Sequence, residues 1–201
     1  MILIEELKDI NNVGDIAKLH NKAFPNFFLT QLGLPFLSAL YHGYFEDDKS
    51  GILIAKENDK LYGFLAYSND YPRFFKQLIK KHILKFAFCS LKAAVLHPSF
   101  IRRILGAFKK SNSVVKPQKY VELASICVDP KHENKGIGSA LIKELINITD
   151  FSVYDFISLE TDAENNDSAN QFYLKNGFSL LTTYKTKEGR LMNEYIYKPG
   201  E

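Results

Sequence analysis

Residues 128–141 read VDPKHENKGIGSAL, and they place Gly136 and Gly138 where an apolar strand passes into an apolar-periodic helix. A helix N-terminus leaves backbone N–H groups unpaired and carries partial positive charge, so a glycine turn there can hold an anion. Lys131 and Lys135 add positive charge on the approach. The stretch lacks the ending of a P-loop and the full dinucleotide fingerprint. Two interpretations therefore stay open, a phosphate cradle and a tight strand–helix turn.

A second informative stretch is residues 166–178, NDSANQFYLKNGF. It predicts a helix over residues 167–176 that is closed by Gly177, a glycine in the expected C-terminal place. Asn166 stands at the N-terminal edge, where its side chain could cap the helix. Tyr173 lies two turns along, so it either points into a cleft or packs as part of an amphipathic face.

Together the two stretches resemble the GNAT acyltransferase superfamily, whose cofactor turn has the form V-x-P-x-x-(R/Q)-x-x-G-x-(G/A) and whose later helix has the form N-x-x-A-x-x-F-Y-x-x-x-G-F. The resemblance covers roughly residues 1–70 and 119–198. It implies an α/β (mixed α+β) fold, in which helices flank a central sheet of parallel and antiparallel strands. The first motif is matched at Val128, Pro130, Gly136 and Gly138, and the second at Asn166, Ala169, Phe172, Tyr173, Gly177 and Phe178.

The cofactor turn departs from the family pattern at two neighbouring positions. Glu133 stands where the family has Arg or Gln, and Asn134 stands where it usually has Gly. A carboxylate aimed at a diphosphate would be unfavourable. We therefore expect Glu133 to point away from the anion or to be offset by the basic side chains at positions 131, 132 and 135.

The resemblance implies that the chain binds acetyl-CoA, or a longer acyl-CoA, as acyl donor. In the family the pantetheine lies against a splayed strand, here residues 123–128, as an added strand would. The alternative for this segment is a buried strand with no free edge. The residues implied in cofactor binding are Ile126, Val128, Glu133, Asn134, Lys135, Gly136, Ile137, Gly138, Ser139, Asn166 and Tyr173.

The implied reaction is attack of an amine on a thioester carbonyl, which requires loss of a proton from an alkylammonium of pKa near 10.4. Glu122 is the candidate general base, since its position matches the base of some family members. The alternative for Glu122 is an exposed or lysine-paired strand residue. A tyrosine placed like Tyr173 protonates the departing thiolate in the family. Cys127 is interpreted as a packing residue, and the histidine spacing predicts no metal site.

Residues 71–118 form a predicted basic helical insertion between the third and fourth strands. From position 71 to 121 there are twelve Lys and Arg and no Asp or Glu, which leaves 14 basic and 23 acidic residues elsewhere. Three interpretations of this segment stay open. It is a wall of the acceptor site that attracts an anionic substrate, or a basic amphipathic surface for anionic lipid. The third is an extra helical layer with solvated lysines and a homodimer contact. No nucleic-acid motif accompanies the charge, so no nucleic-acid partner is expected.

Chain length and composition favour a single domain over residues 1–201. Two cysteines are too few for a disulfide framework, and neither a signal peptide nor a membrane span is recognisable. We therefore expect a cytoplasmic protein.

The predicted function is acetyl-CoA-dependent N-acetylation of a primary amine on a small molecule, with a nucleotide-linked amino sugar or another small anion as expected acceptor. The alternatives are a protein or peptide N-acetyltransferase and a non-catalytic CoA-binding or membrane-associated protein of the same fold.

The apolar periodicities predict alternating strands and helices along the chain. A helix that follows a Thr30 N-cap carries Leu32, Phe36, Leu37, Leu40 and Tyr44. The predicted strands are residues 2–6, 51–56, 61–68, 120–128, 156–161, 178–185 and 191–198, and the other predicted helices are residues 12–24, 74–90 continuing to 96, 99–110, 139–149 and 167–176.

Overall fold

The computed structural model describes residues 2–96, 118–187 and 189–200. Seven strands form one sheet in the order β1-β2-β3-β4-β5-β7-β6. All neighbouring strands are antiparallel except β4 and β5, which are parallel. The strands are β1 (Leu3–Glu6), β2 (Ser50–Glu57), β3 (Lys60–Ser68), β4 (Tyr120–Val128), β5 (Phe156–Asp162), β6 (Ser179–Lys185) and β7 (Leu191–Tyr197).

Six helices in the described part flank this sheet, which confirms the predicted mixed sheet with helices on its faces. The longest, α4, lies between the third and fourth strands and bends at His82, whose φ of −115° is not helical. The predicted break at His97-Pro98 and the predicted helix over 99–110 lie outside the described residues. The helices are α1 (Val13–Ala23), α2 (Phe28–Gln31), α3 (Leu34–Glu46), α4 (Tyr71–Leu96), α5 (Ile137–Ile148) and α6 (Asp167–Lys175).

Two apolar cores cover the two faces of the sheet. On one face, α1, α3 and the first half of α4 pack on β2, β3 and β4 around side chains such as Tyr41 and Phe64. On the other face, α5 and α6 pack around Leu141 and Leu145. The side chains alternate between faces along each strand, so neighbouring residues of β4 contribute to different cores.

Two local backbone features lie in the central strands β2, β3 and β4, a tight turn and a β-bulge. The predicted hairpin between β2 and β3 turns through Asn58 and Asp59, both at positive φ, as a two-residue type I′ turn requires. The register between β3 and β4 shifts so that Ala66 pairs with Ser125 and Tyr67 with Leu123. The residue in between, Ala124, is therefore the extra residue of a β-bulge.

Two helix starts differ from the sequence predictions. Thr30 is not an N-cap, because it lies inside the short helix α2; Gly33, at φ 90°, begins the following helix instead. The helix predicted from Ser139 begins two residues earlier, with Gly136 as N-cap. In both cases a glycine in the left-handed region sets the boundary, because it lets the chain turn sharply into the helix.

A helix that spans a bilayer is long and predominantly apolar, and the helices of the described ranges differ from this pattern. None of them is both long enough and apolar enough to span a membrane.

Candidate active site

The sheet opens between β4 and β5. Their parallel pairing covers only three residue pairs and stops at Glu122 and Ser158. Beyond this point residues 123–128 have no β5 partner, so β4 keeps a free edge, as the splayed-strand interpretation predicted. A cleft of about 1430 Å³ follows this edge. Among its lining residues are Glu122, Ile126, Val128, Glu133, Asn134, Gly136, Ile137, Gly138, Ser139, Asn166 and Tyr173.

The glycine turn presents backbone N–H groups to this cleft. Gly136 is the N-cap of α5 at φ 79°, and no side chain caps the helix. The first helical bond runs from the Ala140 amide to the Gly136 carbonyl, at 2.9 Å. The amides of Ile137, Gly138 and Ser139 therefore have no intrahelical acceptor. Three such amides at a helix N-terminus fit an anionic group such as a diphosphate.

The two departures from the family motif are both tolerated by this geometry. Asn134 has φ 60°, and Asn is the non-glycine residue that adopts this region most readily. Glu133 is exposed at the mouth of the cleft, so its carboxylate is solvated. Lys135 is exposed on the same turn and does not line the cleft.

Asp129, in the loop that leads to the glycine turn, accepts two hydrogen bonds that fix this loop. Its Oδ2 accepts a hydrogen bond from Lys22 at 2.7 Å, and its Oδ1 accepts one from the Lys131 amide at 2.9 Å. The Lys22 hydrogen bond, and next to it the Lys131 amide, lower the pKa of Asp129. This link joins α1 to the loop that precedes α5.

Gly138 is where the two sequence motifs touch. A Cβ at this position would lie 3.0 Å from the Phe172 ring of α6. The sequence predicts that this glycine belongs to a turn that can hold an anion. In the structure it also permits close packing of α6 on α5, because a methyl group would displace the ring.

Asn166 does not cap α6 with its side chain, contrary to one of the two predicted roles. Its Nδ2 donates instead to Thr161 Oγ1 at 2.7 Å and to the Asp162 carbonyl at 3.2 Å. The amide group therefore ties the start of α6 to the end of β5. Asn170 continues this tie, since its Nδ2 donates to the same Asp162 carbonyl.

Tyr173 satisfies both interpretations that the sequence left open. It is buried among Phe172, Phe178 and Tyr195, and it also lines the cleft. Its hydroxyl has no hydrogen-bond partner within the described ranges. Burial raises the pKa of Tyr173 to about 12, so the phenol is protonated at neutral pH.

Glu122 lies half-buried at the point where β4 and β5 part. A second carboxylate, Glu160, lines the same cleft from β5, and it pairs across strands with Glu194 of β7. Sequence reasoning missed this convergence, because it depends on the register of three strands. Burial first, and then the charges of Glu122 and Glu160, raise the pKa of Tyr71, which lines the cleft from α4.

A buried polar chain that no motif indicated reaches the cleft from the opposite side. Nδ1 of His20 lies 2.5 Å from the Tyr41 hydroxyl, and this hydroxyl lies 3.4 Å from Ser125 Oγ. Tyr41 and Ser125 line the cleft. Burial lowers the pKa of His20 to about 4, so the imidazole is neutral at pH 7.

Cys127 is buried, with its Sγ directed towards the Leu19 carbonyl at 3.8 Å. Burial raises the pKa of its thiol to about 12, which fits a packing residue rather than a nucleophile. Within the described ranges, no group of three or more His, Cys, Asp or Glu residues is arranged to hold a metal ion.

The sequence profile described as the acetyltransferase (GNAT) family matches residues 14–178. The chain belongs to this family. GNAT proteins are acyltransferases, and acetyl-CoA is the acyl donor, which confirms the resemblance and the donor predicted from the sequence. Among curated proteins, none matches this GNAT chain in sequence.

Solved structures share the GNAT fold with this chain over nearly its whole length. A GNAT family acetyltransferase from Bacillus cereus aligns with TM-score 0.60 at 16% identity, over 98% of this chain and 97% of that one. The ribosomal-protein-S18-alanine N-acetyltransferase of Escherichia coli aligns with TM-score 0.57 at 16% identity, over 98% and 94%. Arabidopsis thaliana NAA60, solved with acetyl-CoA, aligns with TM-score 0.62 at 14% identity, over 100% of both chains. At these identities the likeness concerns the fold.

Proposed function

We propose that this GNAT acetyltransferase transfers the acetyl group of acetyl-CoA to a primary amine, with Glu122 as general base and Tyr173 as general acid. The observation that carries the proposal is the continuity of one cleft. It connects the unpaired amides of α5, the free edge of β4, Glu122 and Tyr173.

The donor would be held by this chain's own groups at two places. The amides of Ile137, Gly138 and Ser139 would accept the diphosphate, and the free edge of β4 at Ile126 and Val128 would hydrogen-bond the pantetheine arm. Bound acetyl-CoA supplies an acyl group activated as a thioester. The residues fit such a donor because the amides are unpaired and the edge is open.

The proton transfers follow from the two side chains at the reacting end. The ammonium of the acceptor would first lose one proton to solvent. The neutral amine nitrogen would then form a bond to the carbonyl carbon and lose a second proton to the Glu122 carboxylate, while the carbon–sulfur bond breaks. The Tyr173 hydroxyl would donate its proton to the departing sulfur. A phenol with a pKa of about 12 is protonated when the sulfur leaves, and it is restored by the proton that the amine has released.

The acceptor class rests on the charges that line the cleft. Glu122 and Glu160 line it from β4 and β5, whereas Lys175 is the one Lys or Arg among its described lining residues. Asp162 also lines it, but its carboxylate is paired with Arg190 at 2.6 Å. This balance favours a cationic amine. A nucleotide-linked amino sugar remains a prediction that the described lining does not support. A peptide N-terminus is the second candidate, since one protein of this fold is named a ribosomal-protein-S18-alanine N-acetyltransferase.

A single pair of measurements tests the proposal. Calorimetry should detect acetyl-CoA binding, and thiol release from acetyl-CoA should accelerate when primary amines or short peptides are added. Donor binding without acceleration by any acceptor would favour a non-catalytic CoA-binding protein.

Several expectations from the sequence remain predictions. They are the cytoplasmic location, lipid contact through residues 71–118, the homodimer and the absence of a nucleic-acid partner.

A further inference from the structure

The cleft has a second half that the donor-binding groups do not account for. Beyond Ser125 it extends over the sheet face covered by α2, α3 and α4. Its walls there are apolar and largely aromatic, and they include Phe28, Leu32, Phe36, Phe75, Ile79 and Phe86. An acetyl group is far too small to need such walls.

Helix α4 presents an apolar stripe to this half of the cleft. Tyr71, Phe75 and Ile79 are spaced four residues apart, so they lie on one helical face, and all three line the cleft. The stripe extends about 12 Å along the helix axis. It starts at Tyr71, whose pKa is raised by burial first and then by the charges of Glu122 and Glu160.

The basic side chains in the first half of α4 are directed away from the cleft. Arg73 forms ion pairs with Asp47 and Asp48, and Lys81 forms one with Glu46. Lys76 and Lys80 are exposed, and none of these four cations lines the cleft. This part of the insertion therefore supplies an apolar wall rather than a site for an anion.

We propose that this half of the cleft binds the body of the acceptor, and that the acceptor is a primary amine carrying an apolar chain or ring. The ammonium group meets the carboxylates of Glu122 and Glu160, and the apolar body follows the α4 stripe. The charge of the carboxylates selects a cationic acceptor over a neutral acyl chain as the occupant. The inference rests on the proposed function, because it assumes that Glu122 marks the reacting end.

The test is a series of unbranched primary amines from ethylamine to octylamine, with acetyl-CoA as donor and thiol release as readout. Burial of each methylene should raise kcat/KM about fourfold until the stripe is covered. Glucosamine and spermidine serve as polar amines of comparable size. A kcat/KM that does not depend on chain length, or that is highest for a polar amine, overturns the proposal.

Variants in the wall sharpen the test. Phe75→Ala and Ile79→Ala should each lower kcat/KM for octylamine at least tenfold more than for ethylamine, whereas Lys76→Ala, at a neighbouring exposed position, should leave the ratio unchanged. Thermal melts show whether each variant is folded. A preference for octanoyl-CoA over acetyl-CoA with ethylamine as acceptor would assign the wall to the acyl chain and overturn the proposal.

Calorimetry with octylamine in the presence of CoA separates the two proposals. Octylamine that binds wild type, and binds Phe75→Ala at least tenfold more weakly, supports the acceptor subsite even if no amine is turned over. Absence of turnover with intact octylamine binding overturns the proposed function alone. Absence of octylamine binding, together with turnover of polar amines, overturns the subsite alone.

Discussion

The Tyr41 hydroxyl lies 2.5 Å from Nδ1 of His20, in a position where neither side chain is exposed to solvent. The Nε2 atom of the same imidazole is buried and has no hydrogen-bond partner. The rings of Phe24 and Phe27 pack around it. His20 is therefore a neutral residue whose protonation would place an unpaired charge in an aromatic pocket.

Protonation of His20 should make the protein acid-sensitive. The pKa is lowered from 6.5 to about 4, so the stabilisation is complete above pH 6.5 and is lost as the pH falls towards 4. Between pH 7 and pH 5 the free energy of unfolding should drop by about 2 kcal/mol. Urea denaturation at both pH values measures this drop.

The matched comparison for this prediction is His20→Gln against His42→Gln. The His20 variant should be less stable at pH 7 but should lose this acid-dependent part, whereas the His42 variant should keep it. An unchanged pH dependence in His20→Gln would assign the acid sensitivity to other groups.

Tyr173→Phe should lower kcat and leave acetyl-CoA affinity intact. The substitution removes only the proton that the sulfur would take, and general acid catalysis contributes about 100-fold or more. Thiol-release kinetics and calorimetry measure the two quantities. Tyr195→Phe is the control, because the Tyr195 hydroxyl donates to Asn170 Oδ1 at 2.9 Å. It should cost about 1 kcal/mol of stability with little change in kcat, and equal kcat values in the two variants would refute the role of Tyr173.

Glu122→Gln should lower kcat about 100-fold at pH 7, since the amine would lose its proton acceptor. The deficit should shrink as the pH rises towards 10, because more of the amine is then neutral without a base. Glu160→Gln provides the comparison and should raise KM for the amine more than it lowers kcat. A Glu122→Gln deficit that persists unchanged up to pH 10 contradicts the general-base role.

Gly138→Ala should destabilise the protein by about 1–3 kcal/mol, as overpacking does, because its Cβ would lie 3.0 Å from the Phe172 ring. Gly14→Ala is the matched control, since a Cβ there meets nothing within 4 Å and the residue lies in α1. That variant should gain about 0.5–1 kcal/mol. Urea denaturation of both decides, and a neutral Gly138→Ala would show that the ring yields without cost.

Local sequence patterns predicted most of the elements, because periodicity and turn residues act over a few positions. The hairpin at Asn58-Asp59 and the helix closed by Gly177 are examples. The start of α3 was missed, because Thr30 resembles an N-cap while Gly33, at φ 90°, begins the helix. Here the conformational freedom of glycine outweighs the capping preference of threonine.

The residues of the cleft were predictable where they lie within a motif or, like Glu122, at a strand position that the family resemblance marks. The turn at Gly136 and the position of Tyr173 follow from contiguous residues. The hydrogen-bonded chain from His20 through Tyr41 to Ser125 joins three distant segments, and no local signal marks it. The same holds for Glu160, which reaches the cleft because β5 lies beside β4 in the sheet.

The brief ladder between β4 and β5 also has a mechanical meaning. With three residue pairs, it has the fewest paired residues of the strand junctions in the described sheet, and it divides β1–β4 from β5–β7. We expect this junction to offer the least backbone resistance to a change of angle between the two half-sheets, because few residue pairs join them. A ligand that contacts both half-sheets should restrain this junction, so amide exchange in Tyr120–Glu122 should slow when donor binds.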